Sequence, residues 1–162
     1  MKVGVTGHQD LGTDENVAWV RNAIAAAITE LDVSHGFTCL ARGADQLYAE
    51  VLMERGIPFT AVIPCEEYEE TFPTSEGLAR FKELLGFAAN EEWLPYREPS
   101  EVAFFDAGKR VVDCSKSLIA AWDGEPAKGL GGTADVVEYA MESRRRVIQV
   151  NPRSHMVRKL KA

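Results

Sequence analysis

The chain predicts a doubly wound α/β fold, a mainly parallel sheet with helices on both faces, from three observations. Short apolar or β-branched runs alternate with longer segments of helical periodicity. Two of the runs, "TAVI" and "LIAAW", are almost wholly apolar, as central parallel strands buried on both sides are. Glycine and polar residues gather where strand-like runs end, and open parallel sheets bind ligands there.

In chain order, "KVGVTGH" is a β-rich run that ends in a glycine turn. "DENVAWVRNAIAAAITELD" follows with Val17, Val20, Ile24, Ile28 and Leu31 at helical spacing and Asp14 placed to cap it. "FTCLA" is the second strand and "ADQLYAEVLMERG" the second helix, closed by Gly56. "PFTAVIP" is the third strand. Between Cys65 and Pro99 the pattern weakens, with "EEYEETFP" and "SEGLARFKELLGFAA" reading as helical and "EEWLPY" as a fourth strand. "SEVAFFDAGKRVVDCS" is a helix capped by Ser100, "KSLIAAW" a strand, "TADVVEYAMESRR" a helix and "RVIQVNP" the last strand.

A length of 162 residues suits one domain, 1–162, with one core and no linker. Hydrophobic residues at 46% and charged residues at 27% are ordinary for a soluble globular protein. No apolar run approaches the roughly 20 residues of a membrane span, and "MKVGVTGHQD" lacks the apolar core of a signal peptide. Cys39, Cys65 and Cys114 lie far apart in or beside apolar segments, which fits reduced, buried thiols in a cytoplasmic protein. These features call for neither a metal nor a cofactor. The net charge of −7 argues against a large nucleic-acid footprint, and the basic "RSHMVRKLKA" reads as a solvated terminus. An anionic small molecule stays compatible, because the field of a cleft can oppose the net charge.

Three strand ends carry the candidate site. In "VTGHQD", Gly7 permits a sharp turn and close backbone approach to a ligand, while His8 and Gln9 offer donors and acceptors. In "ARGAD", Arg42 and Gly43 precede a helix that starts near Ala44, so an anion would meet a guanidinium beside unpaired N–H groups. Asp45 has two readings, favouring its own helix N-terminus or holding a ribose hydroxyl. In "WDGEPAKGLGGT", Asp123 and Gly124 end a strand, and Gly129, Gly131 and Gly132 lead into a helix at Thr133. Such a loop turns successive N–H groups toward one point and suits a phosphate. One helix terminus holds an anion by only about 0.3–2 kcal/mol, so several loops would have to act together. The G-x-G-x-x-G order and the G-x-x-x-x-G-K-[ST] motif are both missing, which argues against hydride transfer and ATP hydrolysis.

On "VGVTGHQDLG", "ARGADQLYAE" and "VVDCSKSLIAAWDGEPAKGLGGTADVVEYA", the chain resembles the Smf/DprA–LOG (SLOG) superfamily of Rossmann-like proteins over most of its length. The resemblance implies a nucleotide-like small molecule, with its phosphate on Gly131, Gly132 and Thr133. It also implies a homo-oligomer. The leading expectation is ligand binding, as in a sensor; a scaffold with a vestigial pocket is a further possibility. The resemblance implies a second function, a hydrolase or transferase acting on the N-glycosidic bond of a nucleoside monophosphate, with Asp45, Asp123 or Glu138 as its carboxylate. The LOG motif PGGxGTxxE has glutamate three positions after its threonine; Val136 stands there in this chain, with Asp135 two and Glu138 five positions after Thr133.

Overall fold

The computed structural model describes residues 1–161. The elements run β1 (Lys2–Gly7), α1 (Asp14–Glu30), β2 (His35–Thr38), α2 (Ala44–Glu54), β3 (Phe59–Ile63), a 3-10 turn (Tyr68–Thr71), α3 (Ser75–Phe87), β4 (Asn90–Trp93), α4 (Glu101–Asp113), β5 (Ser117–Ala121), α5 (Thr133–Glu142), β6 (Arg146–Asn151) and β7 (Met156–Leu160). The strands form one sheet in the order β4-β3-β2-β1-β5-β6-β7. Six are mutually parallel, and β7 lies antiparallel on the β6 edge. This is the doubly wound α/β architecture that the alternation of segments predicts.

Strand alternation sorts the buried side chains into two layers. On β5, Ile119 and Ala121 join a core with Val20 and Ile24 of α1, Leu47 of α2 and Phe81 of α3. Leu118 and Ala120 point to the other face, where Val111 of α4 and Val137 of α5 complete a second core. The chain leaves β1 toward β2 on one side and returns to β5 on the other, so connections diverge at the carboxyl ends of β1 and β5. A crevice at that point follows from topology alone.

Three local expectations change. Thr13, not Asp14, caps α1, its side chain accepting from the Asn16 amide at 3.2 Å; Asp14 is the first helical residue. The second strand starts at His35 and stops before Cys39. The basic tail is no solvated terminus, because Met156–Leu160 pairs with β6 from Asn151↔Met156 to Val147↔Leu160. The Asn151 side chain accepts from the Arg153 and Ser154 amides and closes the turn. His155 then stacks on Trp19 of α1, with ring centroids 4.3 Å apart, and Lys159 pairs with Glu30. As an edge strand with cations on it, β7 shows little apolar alternation.

The switch point is packed backbone to backbone. A Cβ on Gly7 would lie 2.5 Å from Ala44 Cβ and 2.8 Å from both the Ala121 Cβ and its carbonyl oxygen. The missing side chain therefore serves packing of β1 against α2 and β5, and not only approach to a ligand. Overpacking such a site costs about 1–3 kcal/mol, so Gly7→Ala is expected to lower the unfolding free energy by that amount in urea titrations. A methyl group on Gly86 of α3 would meet nothing within 4 Å, so Gly86→Ala should instead gain about 0.5–1 kcal/mol.

Candidate functional site

The loops after β1, β2 and β5 converge on one cleft of about 1410 Å³. Its wall includes nine of the residues expected from sequence: Gly7, His8 and Gln9 from the first loop, Arg42 and Asp45 from the second, and Asp123, Gly131, Gly132 and Thr133 from the third. Gly43, Ala44, Gly124 and Glu138 are not on that wall. Gly43 is a spacer. Its φ is +83°, and a Cβ there would sit 2.4 Å from the His8 carbonyl oxygen and 2.5 Å from that of Gln9. Ala44 is wholly buried, and its amide donates to the His8 carbonyl at 3.2 Å. Glu138 is exposed on α5, outside the cleft, because five positions past Thr133 falls on another helix face from the one that meets the loop.

The helix starts divide into two kinds. Side chains of Thr13, Thr74 and Ser100 cap α1, α3 and α4. The caps of α2 and α5 are Gly43 and Gly132, with no side-chain hydrogen bond. At α2 the first amide is taken by the His8 carbonyl. At α5 the cleft-lining Thr133 and Ala134 sit in the first turn, where backbone N–H groups have no partner within the helix. Asp135 braces the loop just before, accepting from the Gly131 amide at 2.9 Å. Gly131, with φ +86°, leaves no space for a Cβ against the Glu101 carbonyl at 2.8 Å, so the loop is seated on α4.

Across the cleft, Asp123 is the electrostatic hub. Its side chain is 10% exposed, with Oδ1 3.2 Å from His8 Nε2 and Oδ2 3.4 Å from Arg153 Nε. Burial alone would raise its carboxyl, but the Glu125 amide, His8 and Arg153 together hold it below the usual aspartate range. The Asp123 amide also faces His8 Nε2 at 3.2 Å. A neutral ring can accept there; a protonated ring donates to the carboxylate instead. Arg153 is a site residue that sequence reasoning missed, since it lies in the turn leading to the unforeseen β7. Arg42 forms no ion pair among the described residues, and its Nε only reaches Gln9 Oε1 at 3.4 Å.

Asp45 differs from Asp123. It is 7% exposed, accepts from the Ala41 amide at 3.3 Å, and faces the cleft from the second residue of α2. Burial pushes its carboxyl up to about 7, against the lowering effect of the Ala41 and Cys39 amides. One residue thus ties down the loop before its helix and also lines the cleft, the two placements that its two readings require. Tyr68, Thr71, Pro64 and Phe104 complete the far wall. Of the aromatic residues near the poorly patterned middle of the chain, Phe104 reaches the cleft, whereas Trp93 and Tyr96 do not line it.

Asp45 makes stability depend on pH with a definite sign. The folded pKa of about 7 exceeds the roughly 3.9 of an unfolded aspartate. The folded state holds the proton more tightly, so this contribution is full below about pH 4 and is lost as pH rises through about 7. Asp45→Asn is expected to flatten the decline of unfolding free energy between about pH 4 and 7; an unaltered slope in urea titrations would assign it to other groups.

No protein-family model and no curated protein sequence matches the chain. Solved structures do. DNA processing protein A (DprA) from Streptococcus pneumoniae superposes with a TM-score of 0.66 at 22% identity, over 93% of this chain and 50% of that one. DNA processing protein A from Helicobacter pylori, described by its single-stranded DNA binding mode, gives 0.67 at 14% identity, over 93% of this chain and 65% of that one. The molybdenum cofactor binding protein from Rippkaea orientalis gives 0.58 at 15% identity, over 91% and 74%. The chain spans between half and two thirds of the length of the two DNA processing proteins. Because a DNA-binding protein shares this architecture, the expectation against nucleic acid rests on charge alone. Among the described residues no helix is long and apolar enough to cross a membrane. The chain has the Rossmann-like α/β fold that these solved structures share.

Proposed function

We propose that the chain binds a nucleoside phosphate in the cleft at the carboxyl ends of β1 and β5, with the phosphate on the first turn of α5. One observation carries the reading: α5 starts at the cleft with a glycine cap and no side chain occupying its amides, while α1, α3 and α4 are capped internally. A phosphate would take the Thr133 and Ala134 amides and the Thr133 hydroxyl. Arg42, free of any carboxylate among the described residues, supplies a second charge-assisted contact. At about 1410 Å³ the cleft has room for a sugar and a base beyond the phosphate. The solved structures described as molybdenum cofactor and single-stranded DNA binders support ligand binding by this fold in general terms.

A hydrogen bond to a charged group contributes about 1.5–3 kcal/mol. Thr133→Ala is therefore expected to weaken binding of a nucleoside 5′-monophosphate roughly 10–100-fold in calorimetry, and to leave binding of the bare nucleoside unchanged. Equal affinity of the unaltered protein for nucleoside and nucleotide would remove the phosphate assignment.

A second reading has its own support. Two carboxylates line the cleft with environments that push them apart, Asp123 held low and Asp45 raised to about 7. An ionised Asp123 suits a nucleophile or a stabiliser of an oxocarbenium-like transition state, and a protonated Asp45 suits a general acid. Chromatography after incubation with nucleoside monophosphates is then expected to show free base, absent with Asp123→Asn while ligand is retained. If no base is released, the binding reading stands ahead of the enzymatic one.

A further inference from the structure

We infer that the part of the cleft wall formed by Asp45, Tyr68 and Phe104 is a subsite for a planar hydrogen-bonding heterocycle, the base of the bound nucleotide. The inference rests on the nucleotide reading above and assigns the end of the ligand that the α5 turn does not hold.

Tyr68 carries the argument. Only 4% of it is exposed, yet it lines the cleft. Its ring is fixed by edge contacts to Phe72 and Phe81, with centroids 5.4 Å away in both cases. Its hydroxyl has no hydrogen-bond partner among the described residues, although hydroxyls this deep are normally paired. Nor is it sealed from solvent, since among the described residues Arg145 Nε, in the turn before β6, is the fully buried side-chain atom left without a partner. A comparison within the molecule sharpens the point, since the similarly buried Tyr48 donates to the Val3 carbonyl at 2.6 Å. Burial, with Cys39, Asp45 and Cys65 nearby, raises the Tyr68 phenol well above its ordinary value, so it stays a neutral donor at any working pH. The hydroxyl is thus open to a partner that enters from the cleft.

The surroundings decide what enters. Asp45 accepts from its own loop with one oxygen, and a carboxylate has capacity for further donors. A Tyr donor and a carboxyl acceptor on one cleft wall match the edge of a nucleobase, which offers acceptor and N–H groups in one plane. A phosphate offers only acceptors and would be repelled by Asp45 in its ionised form. Phe104, whose ring lies 6.4 Å from that of Tyr68 at 59°, and Pro64 provide apolar surface for the flat faces of the ring.

The test compares a nucleoside 5′-monophosphate with ribose 5-phosphate in calorimetry, using the unaltered protein, Tyr68→Phe and Phe104→Ala. Tyr68→Phe keeps the ring and its packing, so folding is preserved. The expected result is tighter binding of the nucleotide than of ribose 5-phosphate. Tyr68→Phe and Phe104→Ala should each weaken the nucleotide about 5- to 50-fold and leave ribose 5-phosphate unchanged. Equal affinity for the two ligands, or a nucleotide preference untouched by both substitutions, overturns the base subsite while the phosphate site stands. Binding of neither ligand overturns the nucleotide reading itself, and the subsite with it.

Discussion

The structure turns on the close meeting of three backbones at the end of β1. The Gly7 backbone lies against Ala44 at the start of α2 and Ala121 at the end of β5, with no space for a side chain between them. The His8 amide donates to the Ala121 carbonyl at 3.0 Å, and the His8 carbonyl accepts from Ala44. Two residues that carry only a methyl group and two glycines, Gly7 and Gly43, make this approach possible. Its consequence is positional. Once His8 is tied to β5 by its amide and to α2 by its carbonyl, its ring is delivered to Asp123, and the second loop, with Arg42, is brought against Gln9. The glycines that look like ligand-approach residues thus act first on the protein itself, and the cleft is what remains between the loops they draw together.

That geometry explains why net charge describes the site poorly. The chain carries −7 overall, yet residues 143–161 contain seven arginines and lysines and no carboxylate. β6 and β7 place this run at one edge of the sheet, and its turn sends Arg153 to Asp123. Asp123 is therefore neutralised from both sides, by Arg153 and by His8 when protonated, and Asp45 is partly neutralised by its own burial. A cleft built this way tolerates an anion despite four acidic residues on its wall, because the two deepest of them contribute less negative field than their formal charges suggest.

The sheet's parallel core was legible in the sequence because parallel strands buried on both faces must be apolar throughout, and "TAVI" and "LIAAW" satisfy that without ambiguity. Ser100 was legible as a cap for the same local reason, a hydroxyl just before a strong helical period. Thr13 and Asp14 are both good caps, so only the backbone decides between them. β7 was not legible, since an edge strand with basic residues on an exposed surface has the composition of a solvated tail, and its partner lies across a turn held by the Asn151 side chain. The site followed the same division. Strand-end loops revealed His8, Arg42 and Asp123, while Tyr68 and Phe104 lie on the 3-10 turn and α4, brought to the cleft by tertiary packing. An unpartnered hydroxyl is a property of three dimensions and has no sequence signal.

The departure from the LOG motif now has a physical reading. Val136, in the place of the motif glutamate, is 3% exposed and packs on α4, where a Cβ on Gly108 would come within 2.6 Å of it. A glutamate in that position would bring a carboxylate into the seam between α4 and α5, beside the α5 amides that are otherwise open to an anion. With valine there, Asp135 is the acidic residue of that turn, and its carboxylate is turned back onto the Gly131 amide at 2.9 Å. Any carboxylate chemistry in this chain must then come from the opposite wall, from Asp123 and Asp45 at the ends of β5 and the second loop, and not from α5. The α5 turn thus has a buried valine where the motif has its carboxylate, and that substitution separates this cleft from the catalytic arrangement its loop sequence suggests.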